Sequence, residues 1–353
     1  MREIPQLRKK DGTALVLGGG AVKGFFYYLG VLKALDEAGE QFTSVVGTSA
    51  GAIAGALLAS GISVNTLASA KPYKKIYIPE LDRWIKPPTS YALFKPIYQD
   101  YLRQLLIVAL ESVRFISLLP WLWGRDLVNE ALDKLIHSQT EITAWFSPEA
   151  LDQFFLDLLP SQAFSEQAVD LYVSATFLDN PHLRVVFNGV YDFAEHENVF
   201  MTNVPINQAI LASSAIPGVF EPVKIDESFF VDGEIKQTLS ADIGIRLADR
   251  VIIAHAYQPL LLGEGRSVRD IGWLNIVRQS FYTVFRERIT TWRYIYEQQN
   301  PGKQIIWIEP DPTDEEFFQA PEFSFRPEVQ RLLIAKGAEA AHKALDKETT
   351  RAK

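Results

Sequence analysis

Residues 13–60 read TALVLGGGAVKGFFYYLGVLKALDEAGEQFTSVVGTSAGAIAGALLAS, and this stretch decides the fold. Thr13-Ala14-Leu15-Val16-Leu17 is a short apolar run bounded by charge before it and glycine after it, which predicts a buried strand. Gly18-Gly19-Gly20 is a turn. From about Lys23 to Ala38 the apolar residues recur at helical spacing, through Phe26, Leu29, Leu32 and Leu35, and Gly39 stops the helix. Phe42 to Val46 predicts a second strand. Gly47-Thr48-Ser49-Ala50-Gly51 follows, then a small-residue helix ended by Gly61. Strand, loop, helix, strand, turn, helix is the order of a parallel sheet with helices packed on its faces.

Outward from this unit the pattern changes. Between Lys71 and about Phe164 there is no strand–helix alternation, and prolines cluster at Pro72, Pro79, Pro87, Pro88 and Pro96. Amphipathic helical patterns lie around 97–119, 125–137 and 148–159, so residues 71–165 read as a helical insertion. Alternation resumes with strands at 170–176 and 184–187, a helix at 205–214, and a strand at 229–231 that ends in Asp232-Gly233. Strands at 250–254 and 304–308 follow, separated by a long amphipathic helix over 268–299. A last helix covers about 327–347. The expected fold class is α/β, with a mostly parallel sheet, helices on both faces and the helical insertion. The expected domains are 11–310 and a C-terminal helical tail, 311–353.

Composition narrows the chemistry. The chain has 353 residues, 48% hydrophobic and 22% charged, which are globular values. A net charge of -8 with no block of like charge argues against a nucleic-acid partner. Absence of cysteine removes thiol catalysis and cysteine-based metal sites. Five scattered histidines form no HxxxH or HxH pair, so neither a metal nor another cofactor is expected. The N-terminal MREIPQLRKKDG is charged and no apolar core follows it, so no signal peptide is expected and the chain reads as cytoplasmic. Neither 41–70 nor 101–124 holds the ~20 uninterrupted apolar residues of a membrane span. The stretch 97–124, with Trp121 and Trp123, reads equally as a peripheral membrane contact or as an ordinary buried helix. For 268–299, a core-packed helix with a solvated arginine face is preferred over a lipid-headgroup surface.

GTSAG at 47–51 matches G-x-S-x-G. A serine on a sharp strand-to-helix turn needs small neighbours because the backbones crowd there. Its hydroxyl then projects at the amino end of a helix, where unpaired N–H groups favour negative charge. For Gly18-Gly19-Gly20 three readings compete: an oxyanion hole, a dinucleotide phosphate loop, or a plain tight connection. The Rossmann spacing G-x-G-x-x-G is not met by GGGAVKG, and no GK[ST] follows for a P-loop. A serine nucleophile needs a base. Asp232 ends a strand, and in a doubly wound parallel sheet that end is the ligand edge, the same one as Ser49. His255, closing the strand VIIAH, is the rival, and a structural histidine is preferred there.

Taken together these blocks resemble the patatin-like phospholipase family. The resemblance rests on LGGGAVKG at 17–24, GVLKALDEAG at 30–39, GTSAG at 47–51, SATFLD at 174–179, ASSAIPGVFEPV at 212–223 and FVDGE at 230–234. It implies a three-layer patatin-like sheet and a lipid acyl hydrolase acting on a phospholipid or other acyl ester. It implies Ser49 as nucleophile, Asp232 as general base without a third member, and an oxyanion hole from the amides of Gly18, Gly19, Gly20 and Ala21. Gly47, Gly51, Lys23, Gly24 and Gly233 support the motifs. Two departures stand out. Val22 is an extra residue in the glycine loop. After Asp232-Gly233 the family has Gly or Ala and then Asn and Pro, where this chain has Glu234, Gln237, Thr238 and Ser240. Glu234 puts a second acid beside the proposed base; desolvated together, the two would repel and one would titrate high. That departure keeps open a catalytically weak or inactive lipid-binding relative.

Overall fold

The structure, a computed structural model, describes residues 7–68, 75–86, 94–96 and 144–351. It opens with β1 (Thr13–Leu17), α1 (Ala21–Glu37), β2 (Ser44–Thr48), α2 (Ala50–Ala59) and α3 (Val64–Ala68). Next come β3 (Ile76–Ile78), β4 (Arg83–Ile85), β5 (Lys95–Pro96), β6 (Ala144–Ser147) and α4 (Glu149–Leu158). The third group is β7 (Asp170–Phe177), β8 (Arg184–Phe187), β9 (Phe193–Glu195), β10 (Asn198–Met201), α5 (Ile206–Ser213), β11 (Gly218–Phe220), β12 (Val223–Ile225), β13 (Ser228–Asp232) and α6 (Ala241–Leu247). β14 (Arg250–Ala254), α7 (Trp273–Gln299), β15 (Gln304–Ile308), α8 (Glu315–Gln319) and α9 (Pro327–Arg351) complete it.

The central sheet has the order β15-β14-β1-β2-β7-β8-β10-β9, with β13 and then β12 attached to β7. From β15 to β7 every neighbouring pair is parallel. Alternation along β1 sorts its side chains between two cores. Leu15 and Leu17 pack with α1, α2 and α9, while Ala14 and Val16 pack with α6 and α7. Helices therefore cover both faces, as the sequence pattern predicts. A parallel strand buried on both sides reads as a continuous apolar run, and all five residues of β1 are buried.

One step of the sequence argument is corrected. β13 is not a parallel strand; it runs antiparallel to β7, with Asp232 opposite Ala175. β2 pairs with the first part of β7, ending with Thr48 opposite Ser174. β8 occupies the other edge of β7 over Val173 to Thr176. β13 thus shares β2's edge of β7, and the two strands meet end to end. Asp232 reaches Ser49 because both strands stop at the middle of β7, not because they share a direction.

The described flanks of the 71–165 stretch hold short strands that the sequence reading lacks. β3 pairs with β4, and β6 lies between β5 and β11. Strands of two to four residues are too short to show a period. The helical pattern at 148–159 is α4; those at 97–119 and 125–137, and the membrane-contact stretch 97–124, lie outside the described residues. Among the described residues, no helix is long and apolar enough to cross a membrane.

α7 departs in part from the expected arrangement of its faces. Tyr282, Ile289 and Tyr296 are buried, but Trp273, Leu274, Phe281 and Val284 are exposed. Arg278 and Arg286 turn toward carboxylates of other segments, Glu322 and Glu309, while Arg293 pairs with Glu297 of the same helix and Arg288 is exposed.

α9 lies against α1 at backbone contact. A Cβ on Gly337 would fall 1.9 Å from the Tyr27 carbonyl oxygen, and one on Gly30 the same distance from that of Ile334. In an ordinary helix interior Gly→Ala stabilises by about 1 kcal/mol. Here Gly337→Ala is expected to destabilise by about 2 kcal/mol or more, because two backbones must part. Urea unfolding measures it; a stabilised variant would show that the helices have room.

Candidate active site

Ser49 stands between β2 and α2 with φ 53° and ψ −120°, a conformation that an L-residue adopts only under constraint. The constraint is crowding. A Cβ on Gly51 would fall 2.2 Å from the Leu17 carbonyl oxygen, and one on Gly47 would fall 2.5 Å from the Ala52 Cα. Only glycines let α2 start this close to β1. The Gly51 N–H donates to the Gly18 carbonyl at 2.9 Å, tying this turn to the glycine loop. The Ser49 N–H donates to Ser213 Oγ at 2.8 Å, at the end of α5.

The Ser49 hydroxyl donates to Asp232 Oδ2 at 2.6 Å, and both residues are buried. Asp232 is held on every side. Its N–H donates to the Ala215 carbonyl at 3.0 Å, and its carbonyl accepts from Thr176 Oγ1 at 2.9 Å. Oδ1 accepts the Glu234 N–H at 2.9 Å. Gly233 fits beneath because a Cβ there would lie 2.4 Å from the Ser174 carbonyl oxygen. A hydroxyl cluster supports the junction: Ser174 Oγ lies 2.8 Å from both Thr48 Oγ1 and Ser240 Oγ. In the sequence Ser240 stands only as a departure after Asp232-Gly233, and Ser174 and Ser213 carry no individual role. The signal for Ser174 and Ser213 lay in the quoted blocks SATFLD and ASSAIPGVFEPV, which contain them.

The glycine loop lies next to this pair, but its amides differ in use. The Gly18 N–H donates to the Ala254 carbonyl at 3.0 Å, prolonging the β1–β14 ladder. The Gly19 N–H donates to Glu234 Oε1 at 2.6 Å, in a buried contact. Among the described residues, no partner receives the amides of Gly20 and Ala21, which open α1 with φ of 139° and 53°. The loop's carbonyls are all taken: Gly18 by Gly51, Gly19 by the Tyr28 hydroxyl at 2.8 Å, and Gly20 by the Gly24 N–H at 2.7 Å.

Lys23 is not aimed at the pair. Its side chain is buried, donates to the Phe318 carbonyl at 3.1 Å and lies 4.4 Å from the Phe317 ring centroid. Burial pulls its ammonium down to about 7. Lys23 therefore anchors α8 to the first turn of α1. His255 is also elsewhere engaged. Its Nε2 lies 3.2 Å from the Arg286 guanidinium and 3.4 Å from Glu309, and it contacts neither Ser49 nor Asp232. Its Nδ1 is buried without a partner among the described residues.

A family model for patatin-like phospholipase matches residues 15–245, more than half of the 353-residue chain. The chain belongs to the patatin-like phospholipase family. Both strands that meet at Ser49 and Asp232, and the glycine loop, fall inside this patatin-like span; α7, β15, α8 and α9 fall outside it. Among solved structures, VipD from Legionella pneumophila aligns with 17% identity and a TM-score of 0.40, over 96% of this chain and 67% of that one. The type III effector protein ExoU aligns with 15% identity and a TM-score of 0.34, over 96% of this chain and 53% of that one. This chain therefore spans about two thirds of VipD and about half of ExoU. No curated protein matches the sequence significantly. Among the described residues, no group of three or more His, Asp or Glu side chains can hold a metal ion.

The Ser49–Asp232 pair carries an unusual proton balance. Burial pushes Asp232 up to about 6, against the Ser49 and Glu234 hydrogen bonds that favour its charge. Glu234 is pushed up to about 8, first by burial and then by the Asp232 charge. An unfolded carboxyl titrates near 4. The folded chain therefore keeps protons that the unfolded chain has lost, so these two groups favour folding below about pH 4. That advantage fades as pH climbs through the folded values. Glu234→Gln, which cannot ionise, should melt above wild type by a margin that widens by a few degrees between pH 5 and pH 9. Thermal melts across that range test it, and a constant margin contradicts it.

Proposed function

We propose that this protein hydrolyses carboxyl esters of lipids, phospholipids or similar acyl esters, through an acyl-enzyme on Ser49. What carries the reading is the buried 2.6 Å contact between the Ser49 hydroxyl and Asp232 Oδ2, in a chain of the patatin-like phospholipase family. Ser49 Oγ attacks the ester carbonyl carbon, its proton passes to Asp232, and the carbonyl electron pair moves onto oxygen. Collapse breaks the bond to the alcohol, which leaves with the proton, and water repeats the sequence to free the fatty acid. A carboxylate raised to about 6 is a stronger base than an ordinary aspartate, which suits direct proton transfer from serine.

The oxyanion then depends on amides. One such donor contributes about 3 kcal/mol in a well-characterised protease. Gly20 and Ala21 supply free donors, and Gly19 supplies a third once its present acceptor leaves; the Gly18 amide is spent on Ala254. A second reading, a weakly active or inactive lipid-binding relative, draws support from the Glu234 carboxyl seated on the Gly19 amide. Covalent labelling of Ser49 by a fluorophosphonate probe separates the two.

Ser49→Ala and Asp232→Asn are each expected to lower kcat/KM on a nitrophenyl acyl ester by about 10³-fold or more, with unchanged far-UV circular dichroism. Undiminished hydrolysis by purified Ser49→Ala would overturn the mechanism. In wild type, kcat/KM should rise with pH through about 6 as Asp232 loses its proton. A flat profile between pH 5 and pH 8 would exclude Asp232 as the titrating base.

A further inference from the structure

Glu234 does something the acyl-transfer chemistry does not require. Its Oε1 accepts the Gly19 N–H at 2.6 Å, 215 residues away in sequence. The fit is close. A Cβ on Gly19 would lie 2.7 Å from Glu234 Cγ and 2.5 Å from the Tyr257 hydroxyl. Because every loop carbonyl is already bonded, the peptide planes are fixed and the Gly19 N–H is presented to whatever lies above it. What lies above it is a carboxyl group, whose Oε1 accepts this N–H where the oxygen of a tetrahedral acyl intermediate would.

We propose that Glu234 is a built-in occupant of the oxyanion site, holding the Gly19 amide until the oxyanion of the tetrahedral intermediate displaces it. This rests on the reading of Ser49 as an acyl-accepting nucleophile. The occupant is a weakly held one. Glu234 Oε2 is buried with no partner among the described residues, so seating the carboxyl leaves one oxygen uncompensated. The Gly19 and Leu239 amides favour its charge but do not outweigh burial and the other groups facing it. Asp232 repels it, and Tyr28 and Tyr257 are buried neutral hydroxyls. Arg288 of α7 acts from a distance, its guanidinium engaged with the Ile235 carbonyl at 3.3 Å. Ile235, the residue after Glu234, is exposed, so the turn that carries the buried carboxyl reaches the surface.

The occupancy separates ground state from transition state. A substrate that must expel Glu234 loses oxyanion stabilisation more than it loses affinity, so the occupant lowers kcat rather than raising KM. The test uses the full-length chain with Glu234→Ala and Glu234→Gln, two readouts of reactivity and one of structure. The reactivity readouts are the rate of fluorophosphonate labelling and kcat and KM on a short nitrophenyl ester. The structural readout is the Gly19 amide in ¹⁵N-glycine-labelled protein.

Glu234→Ala should raise the labelling rate and kcat about tenfold or more while KM changes little, and the Gly19 amide should lose its protection from hydrogen exchange. Assayed at pH 9, above the value of about 8 at which Glu234 ionises, Glu234→Gln keeps the shape but bonds the amide more weakly than a carboxylate does, so its gain should be smaller and in the same direction. This variant decides the matter if Glu234→Ala does not fold. Equal or slower labelling in folded variants, with Ser49 still the labelled residue, would overturn this proposal alone. Absence of Ser49 labelling in wild type and in both variants would overturn the acyl-transfer reading and this proposal with it.

Discussion

The contact between Ser49 and Asp232 depends on two strands that stop against one another. β2 and β13 approach from opposite directions along one edge of β7, and Ser174 and Ala175 register their ends side by side. Neither residue is placed by its own element alone. β7 is the ruler, and the hydroxyls of Thr48, Ser174 and Ser240 fill the seam where the two strand ends leave backbone without sheet partners. The same seam receives the α5 terminus, whose Ser213 accepts from Ser49 and whose carbonyl accepts from Gly233. The proposed two-residue chemistry relies on this fixation, since no third side chain orients the base.

Burial that fixes the pair also sets its acid–base character. Away from water, Asp232 holds its proton more tightly, which strengthens it as a base and makes its charge costly. Glu234 shares that environment and is shifted further, because the Asp232 charge adds to the burial. The two carboxyls have different neighbours and different tasks. One faces a hydroxyl and the other faces a backbone amide.

Much of this arrangement was legible in the sequence, for identifiable reasons. The change from a short apolar run to helical spacing around Gly18-Gly19-Gly20 announces a strand, turn and helix, and the repeat at Gly47 announces the next. Glu234 stood out as a departure from the family pattern, and its raised titration follows from the expectation that two acids were buried together. The direction of β13 was not legible, because side-chain alternation is identical for parallel and antiparallel strands. β9 to β12 escaped notice since three or four residues carry no measurable period. The exposed aromatic residues of α7 were not legible for another reason: its aromatic and arginine residues alternate closely, and the positions of Glu309 and Glu322, distant in sequence, draw Arg286 and Arg278 away from solvent.

The backbone contact between α1 and α9 has a consequence for the family's own boundaries. α1 grows directly out of the glycine loop, and the helix that braces it begins more than eighty residues after the family match ends at 245. A polypeptide terminated there would bare Tyr27, Leu35 and the Gly30 groove of α1 to water, and Lys23 would lose the Phe318 carbonyl that receives its ammonium. The span matched by the family model is thus, in this molecule, an arch whose keystone lies beyond that span.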